Sequence, residues 1–254
     1  MFMCFAFIAA YLALAAEIRR RRLAIDPYNV VAFVAIAGIL GAKIWHTIDT
    51  PEDRLTTAII GNIGSLITWF RSGFAWFGGF VGGIATLLYL GKHYKLNPIR
   101  MLDIASPAAA IGYAVGRIGC LLSGDGDYGK PTSWSWPWGM AFPNGQVPTT
   151  TKCVEAGWPA NCNVYPTPIY EFLAGTLIFW YLWRRARKPM PAGLLTGEFL
   201  VLSGAERFLV EFIRINPHVI LGMSNAQFTA LLSMVAGAIL MLIASRRAEA
   251  AAPA

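Results

Sequence analysis

The chain has 254 residues and a net charge of +7 at pH 7, with 56% hydrophobic and only 14% charged residues. A soluble domain carries roughly a quarter charged residues, so the composition excludes a soluble enzyme. In a membrane protein, excess lysine and arginine reflects cytoplasmic loops, and nucleic acid is not an expected partner. Apolar runs of membrane-spanning length recur along the chain, which predicts one membrane domain over residues 1–254.

The predicted fold is an all-α integral membrane protein, a polytopic bundle of seven transmembrane helices. In chain order the helices cover residues 1–17, 29–47, 74–91, 101–122, 168–183, 193–213 and 224–245. Residues 55–70 are moderately apolar but rich in glycine, threonine and serine, which favours an interfacial or re-entrant segment over a full span. A long polar loop, residues 123–167, joins helices four and five and has too few alternating apolar positions to form a sheet.

The distribution of positive charge predicts how these helices are oriented. Cytoplasmic loops of membrane proteins are enriched in lysine and arginine. One side of the predicted bundle holds 13 of the 21 such residues and the other side holds five, so the N-terminus and the 123–167 loop lie outside and the C-terminus lies in the cytoplasm. The 13 residues are Arg19–Arg22, Lys92, Lys95, Arg100, Arg184, Arg185, Arg187, Lys188, Arg246 and Arg247.

The four cysteines do not have the spacing of a zinc site. Cys120, like Cys4, lies in an apolar segment, where a small buried residue is the usual role. Cys153 and Cys162 lie in the polar loop, where they either form a disulfide in an oxidising compartment or remain reduced. The Asp125-Gly126-Asp127 segment lacks the register and the terminal glutamate of a calcium loop, so no metal site is predicted.

Ionisable residues inside the predicted helices are candidates for function, because a charge in hydrocarbon is costly unless it is paired or hydrated. Arg117 lies near the outer end of helix four. Arg207, Glu211 and Arg214 lie in helix six at spacings of four and three, which predicts one shared face, whereas Glu206 is expected to point elsewhere. Two or three arginines against one acid leave surplus positive charge, which suits a phosphate. The alternative is a structural ion pair that fixes helix packing.

Two further features accompany these charges. Gly78-Gly79 and Gly82-Gly83 repeat at a spacing of four in helix three, a pattern typical of close helix contact. The alternative is a surface left open for a lipid chain. Residues 123–129 form a glycine-rich acidic loop directly after helix four, and we expect this loop to orient a polar head group beside Arg117.

Five segments of the chain resemble the motifs of a single family. Residues 116–129 resemble the signature Gly-Arg-x-Gly-Asn, followed by Asn-Gly-Glu and a closing glycine, and residues 72–79 resemble a glycine-rich third-helix motif. Residues 164–171 resemble a His-Pro-x-x-x-Tyr-Glu element, and residues 204–214 an Arg-Phe-x-x-Glu-x-x-Arg helix. Residues 38–43 match a second-helix Gly-Ala-Arg with lysine for arginine. In this combination and order, the chain resembles the bacterial prolipoprotein diacylglyceryl transferases.

The resemblance implies a bacterial inner-membrane enzyme with seven spans and an active site near the outer leaflet. Such an enzyme transfers the diacylglyceryl group of phosphatidylglycerol to the lipobox cysteine thiol of a prolipoprotein and releases glycerol phosphate. Phosphatidylglycerol is then the lipid substrate, and no cofactor is expected. The expected partners are this lipid, prolipoprotein signal peptides with a lipobox cysteine, and the surrounding membrane lipids.

The resemblance also implies roles for individual residues. Arg117 and Arg207 would hold the departing phosphate, because its developing charge needs fixed cations. Asp125 or Asp127 stands where the family has a glutamate, which makes four expected catalytic residues. Glu211 and Arg214 are expected to hold the geometry of helix six. The full set of expected substrate-binding residues is Gly78, Gly79, Gly116, Gly119, Cys120, Gly129, Tyr170, Glu171, Glu211 and Arg214.

The chain departs from the family pattern at four positions expected near the site. Phe77 stands where the family has a histidine that is a candidate base for the thiol, and Cys120 replaces the signature asparagine. Ser203 replaces a tyrosine, and Tyr165 replaces a histidine. A thiol needs little help to ionise, so transfer does not require the missing base. Two alternatives stand beside the family's reaction: transfer to another acceptor, and non-enzymatic phospholipid binding or transport.

Overall fold

The computed structural model describes residues 2–49, 76–216, 218–220 and 222–250. These residues form a helical protein with seven long helices of 17 to 26 residues and one short helix in the long loop. In chain order they are α1 (Phe2–Arg20), α2 (Pro27–Asp49), α3 (Trp76–His93), α4 (Pro98–Ser123), the short α5 (Thr149–Glu155), α6 (Thr167–Arg185), α7 (Leu194–Val210) and α8 (Asn225–Ala250).

Each predicted helix corresponds to one long helix, with bounds that differ by a few residues. Four of them are long and apolar enough to cross a membrane: Phe2–Arg20, Pro27–Ile48, Pro98–Ser123 and Asn225–Ala250. These four helices fit a multi-pass membrane protein, while the number of seven spans stays a prediction. The segment predicted to be interfacial, residues 55–70, lies outside the described residues.

Two small antiparallel ladders accompany the helices. β1 (Pro131–Thr132) pairs with β2 (Asn163–Val164), and β3 (His218–Ile220) pairs with β4 (Met223–Ser224). The prediction that the long loop forms no sheet is therefore wrong at β1 and β2. A strand of two residues is too short to show an alternating pattern, so the sequence carries no signal for it.

The helix predicted over residues 193–213 is shorter than expected. α7 ends at Val210, residues Glu211–Ile213 form one 3-10 turn, and Arg214 is extended. Arg207, Glu211 and Arg214 therefore do not share one face of a regular helix. The backbone leaves the helical path where the long loop pairs with it, through a bridge between Gly129 and Arg214.

The chain forms two compact units, Met1–Glu17 with Asp103–Ala254, and Ile18–Leu102. In the second unit α2 packs closely against α3. A Cβ added to Gly78 would collide with the carbonyl oxygen of Gly41, and one added to Gly82 would lie 2.5 Å from that of Ala37. The glycine repeat of α3 thus forms the close helix contact that its spacing predicts.

In the first unit, a buried aspartate joins α4 to the start of α7. The Asp103 carboxylate accepts hydrogen bonds from the backbone N–H groups of Gly193 at 2.8 Å and Thr196 at 2.9 Å. It caps the N-terminus of α7 from a neighbouring helix. Gly175 of α6 lies against Tyr113 of α4, where an added Cβ would be 3.3 Å from the ring. These contacts bring the ionisable residues of α4, α6 and α7 to one place.

Candidate active site

A buried core holds the long loop together. It contains Tyr128, Phe142, Cys153, Cys162 and Val164. Cys153 and Cys162 form a disulfide, with their Cα atoms 5.9 Å apart, so the first of the two alternatives for these cysteines is present. The rings of Tyr128 and Phe142 stack at 5.4 Å. Because Tyr128 directly follows Asp127, this core fixes the position of that aspartate.

The loop docks against the chain that follows α7. The backbone N–H of Gly129 donates to the carbonyl oxygen of Tyr165, and that of Lys130 donates to Ile213, both at 2.8 Å. A Cβ on Gly129 would collide with the Ile213 carbonyl oxygen and would lie 3.0 Å from the Tyr165 Cβ. Only glycine permits this approach, which brings Asp127 next to Arg214. Gly129 thus has a positioning role in the structure.

Arg117 is the first of three arginines that converge on the site. Its guanidinium forms an ion pair with Asp127 and a second one, at 3.2 Å, with Glu171. It also lies over the ring of Tyr113, 5.0 Å from the ring centroid. Its Nη1 is 3.9 Å from the Cys120 sulfur, so Cys120 lies at the edge of the site.

Glu171, near the start of α6, is the centre of the arrangement. Its side chain is fully buried, and one carboxylate oxygen lies 3.2 Å from Arg117 and 2.9 Å from Arg207. The other oxygen lies 3.5 Å from Arg214. Three guanidinium groups therefore surround one carboxylate, an arrangement that offsets the cost of burying its charge.

Glu211 and Arg214 complete the network. Glu211 pairs with Arg207 at 3.1 Å and accepts a hydrogen bond from the Ser224 hydroxyl at 2.8 Å. Ser224 and Gln227 form a reciprocal capping box at the start of α8, so Glu211 ties the network to that helix. Arg214 pairs with Asp127 at 2.5 Å. We call these six residues the arginine–carboxylate cluster: Arg117, Arg207, Arg214, Asp127, Glu171 and Glu211.

The sequence predicted a surplus of positive charge at this site, and the cluster does not have one. Its three arginines are paired with three acids. The prediction counted only the acid on helix six, whereas Asp127 comes from the loop and Glu171 from α6. The arginines differ in exposure: the side chain of Arg207 is 25% exposed, that of Arg117 15% and that of Arg214 7%. Arg207 and Arg117 are therefore partly exposed, whereas Arg214 is buried.

Glu206 also belongs to this site, and the prediction that it points elsewhere is wrong. It is 8% exposed, and one of its carboxyl oxygens lies 3.5 Å from the Tyr113 hydroxyl. The same hydroxyl lies 3.2 Å from Glu171. Sequence reasoning missed Tyr113 as well. The available signal was that Tyr113 lies one helical turn before Arg117 and that Glu206 interrupts an apolar run beside Arg207.

The environment of Asp127 determines its charge. Burial raises the pKa of the Asp127 carboxyl, but Arg214 and Arg117 outweigh this effect and hold the pKa below its usual range. Asp127 is therefore ionised at neutral pH and is a poor acceptor of a proton. Its geometry fits a residue that orients Arg117 and Arg214.

The glycines predicted to bind substrate lie at helix contacts. Gly116 and Gly119 face α1, and a Cβ on Gly119 would lie 2.8 Å from that of Phe2. Gly78 and Gly79 face α2 in the other compact unit. A side chain at Gly78 or Gly119 would collide with the neighbouring helix, and a direct role of the four glycines in substrate binding stays a prediction.

Tyr170, one residue before Glu171, lines a separate cavity of about 540 Å³ with Trp134, Trp138, Tyr165 and Ile213. Its hydroxyl donates to the backbone carbonyl oxygen of Trp138 at 2.7 Å. The cavity is aromatic because the long loop contributes Trp134, Trp138 and Tyr165, and the start of α6 contributes Tyr170.

Comparison with known proteins places the chain in a family. The family model described as prolipoprotein diacylglyceryl transferase matches residues 1–243. The chain belongs to this family. A protein of Leptospira interrogans named phosphatidylglycerol–prolipoprotein diacylglyceryl transferase is 32% identical over 236 residues, covering 85% of this chain and 71% of the relative. Two proteins with the same name are also similar. The one from Cupriavidus metallidurans is 34% identical, with 73% of this chain and 64% of the relative covered. The one from Clostridium tetani is 30% identical, with 83% of this chain and 77% of the relative covered.

Two of the departures from the prolipoprotein diacylglyceryl transferase motifs have a clear structural setting. The Ser203 hydroxyl donates to the backbone carbonyl oxygen of Phe199 at 2.7 Å, so it is satisfied within its own helix. Tyr165 packs on Gly129 and helps to dock the loop. Neither residue supplies a proton acceptor to the cluster in the part of the chain that the structure describes.

We expect a chelator to leave the activity of this family member unchanged. Ligand atoms of Cys120, Asp125 and Asp127 lie within 4.8 Å of one another, which is close enough for a metal ion. However, Asp127 already pairs with two arginines, whose charge would repel a cation. The measurement is the rate of lipid transfer before and after treatment with EDTA. Loss of activity that added zinc or magnesium restores would show that the reaction needs a metal ion, with these three residues as its candidate ligands.

Proposed function

We propose that the chain transfers the diacylglyceryl group of phosphatidylglycerol to the lipobox cysteine thiol of a prolipoprotein and releases glycerol phosphate. The observation that carries this proposal is the convergence of the partly exposed Arg117 and Arg207 on one buried carboxylate. Two planar guanidinium groups at one point can bind a phosphate through paired hydrogen bonds. The names of the relatives agree with this substrate and this acceptor.

In the proposed reaction, the acceptor sulfur attacks the glyceryl carbon that is bonded to the phosphate oxygen. A carbon–sulfur bond forms, the carbon–oxygen bond breaks, and its electron pair leaves on the phosphate. The thiol proton passes to water before the attack, because an ordinary cysteine thiol ionises to a useful extent near neutral pH. Arg117 and Arg207 stabilise the charge that grows on the phosphate. Phosphatidylglycerol is the donor, and the reaction uses no cofactor.

We also propose the membrane arrangement as a single domain with seven spans in the bacterial inner membrane. The N-terminus and the 123–167 loop lie outside, the C-terminus lies in the cytoplasm, and the site lies near the outer leaflet. The asymmetry of lysine and arginine supports this orientation. The disulfide in the loop supports it independently, because disulfides persist in oxidising compartments. The proposed partners of the protein are phosphatidylglycerol, lipobox signal peptides and membrane lipids, and nucleic acid is not among them.

The test combines the purified protein with phosphatidylglycerol and a synthetic lipobox peptide, and it uses mass spectrometry to detect a diacylglyceryl thioether on the peptide. We expect the adduct with the cysteine peptide and none with a matched peptide that has serine in place of cysteine. If the folded, lipid-bound protein releases glycerol phosphate without modifying the peptide, the acceptor is a different molecule. If it binds the lipid and releases nothing, the protein is a lipid-binding protein and not a transferase.

A further inference from the structure

Four carboxyl groups and three guanidinium groups meet at the proposed phosphate site. Asp127, Glu171 and Glu211 each pair directly with at least one arginine. Glu206 is the fourth carboxyl, and it makes no ion pair among the described residues. With all four acids ionised, the site has one negative charge in excess before any lipid binds.

An anionic lipid makes this imbalance larger. The phosphate of phosphatidylglycerol carries one negative charge, and Arg117 and Arg207, which would hold it, are already the partners of Glu171. The phosphate therefore arrives beside an existing carboxylate. Like charges in one buried site cannot all remain ionised without a large cost. The least costly response is for one acid to take up a proton.

Glu206 is the acid best placed to take up this proton. It is buried, and its Oε1 has no hydrogen-bond partner among the described residues. The groups that face it are Tyr113 and Arg117 on α4, Glu171 on α6 and Arg207 on its own helix. A phosphate on Arg117 and Arg207 would draw away the two charges that favour its ionised form, while Glu171 would continue to oppose that form.

We propose that Glu206 is the proton-linked residue of the lipid site: phosphatidylglycerol binds together with a proton that is held on Glu206. This inference rests on the proposed function, because it needs the lipid phosphate at Arg117 and Arg207. Glu206 acts through the charge balance of the site and is a positioning residue.

The experiment is isothermal titration of the full chain in detergent with dihexanoyl phosphatidylglycerol, without acceptor peptide, in buffers of different ionisation enthalpy. The dependence of the heat on the buffer gives the number of protons taken up on binding. At a pH where Glu206 is ionised in the free protein, we expect about one proton to be taken up per lipid bound by the wild type. Over that pH range the affinity should fall by up to about tenfold per pH unit. Glu206→Gln should bind the lipid with no uptake and little dependence on pH.

Glu198→Gln is the matched control, because Glu198 is also a buried acid of α7 but pairs with Arg185 at 3.0 Å outside the site. It should keep the proton uptake of the wild type. Tyr113→Phe provides a second variant, independent of Glu206→Gln. It removes the hydroxyl that lies 3.5 Å from Glu206, so the fall in affinity should move to higher pH.

Three outcomes would overturn the proposal. They are lipid binding by the wild type without proton uptake at every pH tested, uptake that survives in Glu206→Gln, and a pH dependence that Tyr113→Phe does not shift. A flat isotherm for the wild type would reject the lipid site itself, and with it the proposed function. That outcome differs from binding without uptake, which rejects only the role of Glu206.

Discussion

Arg207→Ala is expected to lower the rate of thioether formation by roughly 100- to 1000-fold, the usual effect of removing a group that stabilises charge in the transition state. Arg207 is the most exposed of the three arginines in the cluster, with 25% of its side chain exposed. Its loss leaves Glu171 paired with Arg117 and Arg214, so the buried carboxylate keeps two partners. The fold should therefore survive, and the loss should appear in the chemical step.

Arg117→Ala is expected to cause a similar loss of rate with a larger loss of order in the loop. Arg117 pairs with both Asp127 and Glu171, so after its removal the ion pair with Arg214 is the one that still holds Asp127. Arg207→Lys should retain part of the activity, because lysine keeps the charge but loses the planar, two-point contact with phosphate. Rates are measured from the initial accumulation of modified lipobox peptide.

Arg185→Ala is the control for both variants. Arg185 also pairs with a buried glutamate, Glu198, at 3.0 Å, but it lies outside the cluster. Its removal should change the rate by no more than about twofold. Full activity of Arg117→Ala and Arg207→Ala would show that the phosphate binds elsewhere. Equal losses in all three variants would point to a general effect on folding.

The helices could be predicted from the sequence because hydrocarbon requires long apolar runs, and charged residues end those runs. The prediction was wrong where tertiary contact overrides the pattern. The apolar spacing continues past Val210, but the docked loop pulls the backbone out of the helix at Glu211–Ile213. Asp103 shows the same limit, since nothing local indicates that an aspartate of α4 caps α7.

Part of the site could also be predicted from the apolar runs of the sequence. Arg117 and Arg207 stand out because a charge in an apolar run is unusual. Glu171 came only from the resemblance to a family, because it reaches the cluster from another helix. Asp127 was predicted as part of the acidic loop beside Arg117, and the resemblance made it a catalytic candidate. Glu206 was wrongly predicted to point elsewhere, and Tyr113 was missed. Their positions beside Arg117 and Arg207 mark them as candidates, but the contact between Tyr113 and Glu206 depends on a distance between helices, which one sequence does not contain.

Glu171→Gln is expected to destabilise the folded protein by roughly 3–5 kcal/mol, the usual cost of breaking a buried ion pair by removing one partner. Glu171 is fully buried and is the only acid of the cluster, within the described ranges, that contacts Arg117, Arg207 and Arg214 together. The glutamine side chain has nearly the same shape as glutamate, so the substitution removes the negative charge and little else. The measurement is unfolding by denaturant in detergent. Glu155→Gln, which breaks the exposed pair with Lys152, should change stability by less than about 0.5 kcal/mol.

Lipid binding should stabilise the Glu171→Gln variant against unfolding more than it stabilises the wild type. In the wild type, Glu171 occupies the guanidinium groups that a phosphate would use, so lipid and carboxylate compete for them. In Glu171→Gln the arginines lack that partner, and a bound phosphate would supply the missing charge. Dihexanoyl phosphatidylglycerol should therefore raise the stability of the variant by more than that of the wild type.

These two effects have opposite signs, which separates a structural role of Glu171 from a role at the phosphate site. A variant as stable as the wild type would show that the three ion pairs do not hold the site together. A destabilised variant that gains no more from the lipid than the wild type would place the phosphate away from Arg117 and Arg207. Loss of stability together with a larger gain from the lipid would identify Glu171 as the internal anion that keeps the arginines in position until the phospholipid arrives.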